Sequence, residues 1–149
     1  MRYNTVNAII KMNRKELQEI SKLRRKEAAV LLKAKQHAGA YYLLGYSVEC
    51  ALKASIAKQT NKYDFPNKDI ATKAHVHNLE ALLKLSGLEP DLEKDMRTNR
   101  TLQVNWAVVK DWKESSRYSS NISPGDARDL YSACTSRTNG ILSWIKAKW

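Results

Sequence analysis

AYYLLGYSVECALKASIAK, running from Ala40 through Tyr41 to Lys58, puts Tyr41, Gly45, Val48, Leu52 and Ile56 on one face when wound at about 100° per residue. Leu43, Leu44, Cys50 and Ala51 make most of the remaining surface apolar, and only Glu49, Lys53 and Lys58 carry charge. A helix apolar nearly all round is enclosed by other helices rather than laid on a surface. The stretch therefore predicts the central rod of an all-α bundle. Within it, Gly45 is expected where the preceding helix, folded back antiparallel, brings its backbone close. Glu49, at the border of the apolar face beside Tyr42 and Lys53, needs a partner if it is buried.

Upstream, Asn13 with Glu16 makes a capping-box signature that opens a first helix running to about Gln36. Leu17, Ile20, Leu23, Leu31 and Ala34 are expected on its apolar side, where Arg24 and Glu27 form an i,i+3 pair. Lys15, Lys22, Lys26 and Lys33 fall within about 40° of one another and form a basic stripe opposite. His37, Ala38 and Gly39 read as the break before the central helix.

Downstream, residues 60–74 (TNKYDFPNKDIATKA) lose periodicity and read as a loop anchored by Tyr63 and Phe65. HNLEALLKLSG gives a short helix capped by Asn78 or His77 and stopped by Gly87. EPDLEKD opens a further helical region, interruptible around Arg97 to Thr101, with Trp106, Val109 and Trp112 as its anchors. Residues 113–123 (KESSRYSSNIS) read as a polar surface loop. Ser123, Pro124 and Asp126 start a closing helix that runs near to the end of the chain, with Leu130, Cys134, Ile141, Trp144 and Ile145 inward and Gly140 as a weak point. The pattern is that of an all-α bundle.

Length and composition agree: 149 residues, 43% hydrophobic, with 5 Gly and 3 Pro, suit one ordered helical domain over residues 1–149. The opening MRYNTVNAII has no long apolar run, and no later segment reaches the roughly 20 apolar residues of a membrane span. A cytoplasmic protein is expected, with no membrane partner. Cys50 and Cys134 sit in apolar helical contexts and read as reduced core thiols. The net charge of +11 is concentrated in residues 1–60, where twelve basic face four acidic side chains. Such a half suits a phosphate backbone, a nucleotide or an acidic partner protein, or supplies ordinary solubility.

Of the histidines, His75 and His77 precede a helix but have no third ligand at metal-site spacing, so no metal site is expected and His77 reads as a helix-start residue. GxGxxG, P-loop, GxSxG and HExxH motifs are absent, so no cofactor is expected. The four tryptophans read as core.

The succession AYYLLGYSVECALKA, Phe65-Pro66, HNLEALL, SSRY and ILSWIK resembles a HEPN domain, the nucleotide-binding domain of higher eukaryotes and prokaryotes. The likeness covers about residues 14–146, and its most specific parts are the Gly45 to Lys53 segment and the Arg117-Tyr118 pair. It implies an up-and-down four- or five-helix bundle, usually dimeric and often paired with a minimal nucleotidyltransferase in toxin–antitoxin or phage-defence modules. Many members are metal-independent ribonucleases with an Arg and a His that have four to six residues between them. Arg117 matches the arginine, but the matching positions hold Ile122, Ser123 and Pro124, and no histidine follows His77.

Two functions follow from the resemblance. The first is a nucleotide- or RNA-binding module using Arg117, Tyr118, Glu49, Lys53 and the stripe Lys15, Lys22, Lys26 and Lys33. The second is a ribonuclease in which His77 or His37 supplies the base to Arg117. In the plain structural alternative, Arg117 pairs with Glu114 or an acid of the last helix, Tyr118 anchors the loop, and the bundle is a scaffold for a partner protein. Whether the chain is an enzyme, and its ligand, partner and dimer face, stay open at this level.

Overall fold

The computed structural model describes residues 13–60 and 72–149. The Tyr63, Phe65 and Pro66 expectations lie outside them. Seven α-helices and no strand occur among the described residues: α1 (Arg14–Lys33), α2 (His37–Thr60), α3 (Leu79–Leu85), α4 (Glu89–Thr98), α5 (Arg100–Lys110), α6 (Pro124–Thr135) and α7 (Ile141–Lys146). A 3₁₀ helix, Glu114–Tyr118, stands where a loop was expected.

α2 is the central rod. It packs against α1, α3, α6, α7 and the 3₁₀ helix, burying Leu44, Val48, Ala51, Leu52 and Ile56 in one core with Trp106, Trp112, Leu130 and Ile145. No helix among the described residues is long and apolar enough to cross a membrane.

The Asn13 capping box forms as expected: Asn13 accepts from the Glu16 amide and Glu16 from the Asn13 amide. α1 runs antiparallel to α2, since Ser21 meets Ser47 while Leu31 lies at Gly39. At the Ser21 crossing each hydroxyl donates to the other residue's main-chain oxygen, at 2.8 and 2.7 Å. The buried stripe of α1 is Leu17, Ser21 and Ala28, so small residues set the close approach. Leu23, expected inside, is 48% exposed. The Arg24–Glu27 pair forms, at 2.7 Å.

The break between α1 and α2 comes earlier than expected. His37, Ala38 and Gly39 belong to α2, and the reversal occurs at Lys35, whose φ of +60° is left-handed. The Gln36 amide donates to the Leu31 oxygen and the Lys35 amide to the Leu32 oxygen, which is the Schellman arrangement with lysine in the place glycine usually holds. Gly45 also differs from expectation. A Cβ there would lie 2.0 Å from Trp112 Cδ2, so the glycine makes room for an indole, not for α1.

Two expected long helices are each broken in two. Asn99 ends α4 and caps α5 by accepting from the Leu102 amide, as the Arg97–Thr101 interruption allowed. The closing helix splits at residues 136–140, with Gly140 capping α7. The two breaks hold each other: Asn99 Nδ2 donates to Asn139 Oδ1 at 2.7 Å and Asn105 Nδ2 to the Asn139 main-chain oxygen at 2.8 Å. Side-chain amides thus replace helix hydrogen bonds lost at both breaks. Asn78 caps α3, Gly87 at φ +76° follows its end, and Ser123 caps α6.

Candidate functional site

Gly45 and Trp112 place the first half of the site. Trp112 follows α5, is 2% exposed and stacks on Tyr42 of α2 with ring centroids 6.1 Å apart. The chain then turns through the 3₁₀ helix, whose start is closed by the Ser116 amide on the Lys113 oxygen at 2.9 Å, and lies against α2. Arg117 Nη1 reaches Glu114 Oε1 at 2.7 Å, an i,i+3 ion pair. Its guanidinium carbon sits 4.6 Å from the Tyr118 ring centroid, a cation–π distance. Tyr118 is 77% exposed, so it is not an anchor beneath the loop.

The Tyr42 hydroxyl lies beside the same guanidinium. Burial first, then the Glu114 carboxylate, push its pKa above the ordinary 10.0, while Arg117 pulls the other way. Arg117 is therefore fixed by a carboxylate, a ring face and a phenol, yet about half of its side chain remains exposed. A guanidinium has five N–H donors, and the Glu114 pair leaves others for an anion. Beside them stands an open aromatic face.

The second half lies farther along α2. Glu49 is 1% exposed, and its Oε1 accepts from Lys53 Nζ at 2.8 Å and meets His77 Nδ1 at 2.7 Å. Its Oε2 has no hydrogen-bond partner among the described residues. His77 precedes the Asn78 cap of α3 and is 47% exposed. With Nδ1–H donated to the carboxylate, the ring presents Nε2 as an acceptor, the tautomer logic of a carboxylate-oriented histidine. Lys53, 8% exposed, serves the carboxylate and not the surface.

Tyr42, beside Arg117, and Glu49, which holds His77, are seven residues apart, or about 10 Å along the helix axis. Arg117 pairs with Glu114 and His77 with Glu49, and the Tyr42 phenol between them feels both Arg117 and Glu49. His37 opens α2, its Nδ1 buried and unpartnered among the described residues. The stripe Lys15, Lys22, Lys26 and Lys33 is exposed along α1. No three His, Cys, Asp or Glu side chains converge among the described residues. Cys50 and Cys134 are free and buried, and burial pushes both thiols up to about 12. A cavity of about 200 Å³ between α3, α4 and α5, lined by Leu83, Leu92, Met96 and Trp106 among others, holds none of the candidate residues.

Comparison of the chain with protein-family models, with curated proteins and with solved structures finds no match. The functional reading rests on the geometry.

Sequence reasoning named Arg117, Tyr118, Glu49 and Lys53 as candidates but missed two connections. It read His77 as a helix-start residue, whereas the ring turns back to Glu49, 28 positions earlier. It gave Gly45 to α1, whereas Trp112 fills that space and brings the 3₁₀ helix to Tyr42. A lone glycine facing a lone tryptophan 67 residues away leaves no periodic signal. The Ser116 hydroxyl, buried without a partner among the described residues, lies inside the same 3₁₀ helix.

Proposed function

We propose that this chain is a HEPN-like helical module that binds RNA or a nucleotide, with Arg117 and Tyr118 as the contact point. The observation that carries the reading is the half-exposed Arg117 guanidinium held over the open Tyr118 ring. A guanidinium takes phosphate as a planar fork and an exposed aromatic ring stacks on any base. The +11 charge of the chain supports the same ligand class. The exposed stripe Lys15, Lys22, Lys26 and Lys33 extends the basic surface along α1, while Glu49 and Lys53 act through burial, by holding His77. A homodimer and a nucleotidyltransferase partner belong to this reading through the HEPN resemblance.

The test is incubation of the protein and its Arg117→Ala variant with labelled single-stranded RNA, reading mobility shift and cleavage together. A salt-sensitive shift weakened in the variant is expected. No shift at any salt would remove RNA and leave a small nucleotide or a protein as the ligand.

One observation favours a second reading as a metal-independent ribonuclease. The Glu49 carboxylate orients His77 so that Nε2 can take a proton from a ribose 2′-hydroxyl. The hydroxyl oxygen would attack the adjacent phosphorus, the bond to the 5′-oxygen would break, the leaving 5′-oxygen would take up the proton held on His77 Nε2, and a 2′,3′-cyclic phosphate would result. The phosphorane charge needs a cation; Arg117 pairs with Glu114 rather than with the Glu49–His77 pair, and this reading calls on the Arg117 of a second copy, in keeping with the dimer that the HEPN resemblance implies. Cleavage abolished in both His77→Ala and Arg117→Ala, and restored when the two variants are mixed, is its signature.

A further inference from the structure

The end of the described chain gathers cations that the Arg117 site does not use. Lys22 Nζ of α1 and Lys146 Nζ of α7 lie 5.8 and 5.9 Å from the Trp149 ring centroid. Lys148 Nζ stands 4.8 Å from the Trp144 ring centroid. Arg14 donates to the Trp149 main-chain oxygen, and Lys58 Nζ donates to that of Lys148 at 3.0 Å. These two side chains tie the segment after α7 to the start of α1 and the end of α2. Trp144 is itself fixed by its Nε1, which donates to Asp95 Oδ2 at 2.8 Å.

Among the described residues no carboxylate pairs with Lys22, Arg25, Lys146 or Lys148. Lys146 is half-buried, and its pKa falls below the ordinary 10.5 first through desolvation, then through Arg25 and Lys22. Like charges are thus drawn together with tryptophan faces, but no carboxylate, to compensate them. Cation–π attraction offsets part of the repulsion and desolvation that oppose this arrangement. A polyanion would neutralise the repulsion and supply the missing opposite charge.

We infer that Lys22, Arg25, Lys146 and Lys148, set in place by Trp144 and Trp149, form a binding surface for the phosphodiester backbone of single-stranded nucleic acid. The inference rests on the RNA reading of Arg117 and Tyr118 and adds to it a separate surface that tracks the strand. A run of phosphates fits better than a single anion, because the cations come from α1, α7 and the residues after α7 and are shared between two rings, Trp149 and Trp144. A membrane fits less well, because the tryptophan faces that would enter a bilayer carry ammonium groups. Lys22 also belongs to the exposed stripe of α1, so the surface continues toward Lys15 and Lys26.

The experiment is fluorescence anisotropy of a labelled 20-nucleotide oligouridylate with the full chain between 50 and 200 mM KCl. Each phosphate contact with a single strand contributes about 0.7 to the slope of log affinity against log salt. The triple variant Lys22→Gln, Lys146→Gln, Lys148→Gln is expected to flatten that slope by about 2 and to bind roughly 100-fold more weakly at 100 mM. The exposed single variant Lys22→Gln is expected to lose about fivefold, which keeps the test valid if the triple variant folds poorly. A control removing the same charge elsewhere, Lys84→Gln, Lys110→Gln, Arg128→Gln, is expected to lose less than about threefold, as non-specific field effects do. Equal losses in both triple variants, or an unchanged slope in the first, overturns the inference. Binding abolished by Arg117→Ala but untouched by the Lys22 set overturns it while sparing the Arg117 reading. No binding by the unmodified protein overturns both.

Discussion

Replacing Gly45 by alanine sets two effects of known size against each other. In a helix interior alanine is favoured over glycine by about 1 kcal/mol, so propensity alone predicts stabilisation. The new Cβ, however, would stand 2.0, 2.1 and 2.2 Å from Trp112 Cδ2, Cε2 and Cγ, where carbon atoms prefer about 3.5–4.0 Å. The indole must move by about 1.5 Å to restore contact distance. It is 2% exposed, belongs to the core cluster and stacks on Tyr42, so there is no free volume to take it. Overpacking of this kind costs about 1–3 kcal/mol, and an overlap through a rigid ring belongs at the upper end. The net expectation is a loss of about 2 kcal/mol, read as a fall of about 1 M in the urea midpoint at an m-value of about 2 kcal/mol/M. Gly39→Ala is the internal control, because its Cβ meets only Leu31 Cδ1 at 3.2 Å, the end of a flexible side chain, and should fall within about 0.5 kcal/mol of wild type. In a Trp112→Leu background the cost of Gly45→Ala should shrink, the coupling expected of contacting residues. If Gly45→Ala is neutral or stabilising, or matches Gly39→Ala, the assignment of Gly45 to the indole is wrong. A loss should also reach the site, because Trp112 carries Tyr42 and Tyr42 adjoins Arg117.

Glu49→Ala leaves the Lys53 ammonium, 8% exposed, without its carboxylate, and is expected to cost about 3–5 kcal/mol in urea unfolding; Glu49→Leu with Lys53→Met should recover most of it. His77→Ala removes only the half-exposed partner of that carboxylate and should cost less than about 1 kcal/mol in the same assay. Stability should fall on the alkaline side: Cys50 and Cys134 have folded pKa values raised from 9.0 to about 12, so the folded state holds protons that the unfolded state has released. Their protection is intact below pH 9 and declines as the pH rises toward 12, by about 1 kcal/mol per thiol at pH 10, a loss that Cys134→Ala should roughly halve in thermal melts from pH 8 to 10. Lys35→Gly places glycine at the left-handed φ of +60° and should raise stability by about 0.5–1 kcal/mol; a loss in urea unfolding would overturn the Schellman assignment.

Local rules wrote much of this molecule where it could be read directly. The Asn13, Asn78 and Ser123 caps, the Gly87 stop and the all-round apolar character of residues 40–58 each depend on a few neighbouring positions, and each appears in the structure as expected. The Arg117–Glu114 pair was also legible, since its members are three positions apart. Tertiary structure decided what occupies the space beside Gly45, which carboxylate His77 addresses, that the closing helix breaks where Asn139 meets Asn99, and that Trp149, while packed against the core, also carries Lys22 of α1. Those are pairings across 28 to 127 positions. Periodicity states which face of a helix is buried, but the partner on that face is chosen by packing, which one sequence pattern does not encode.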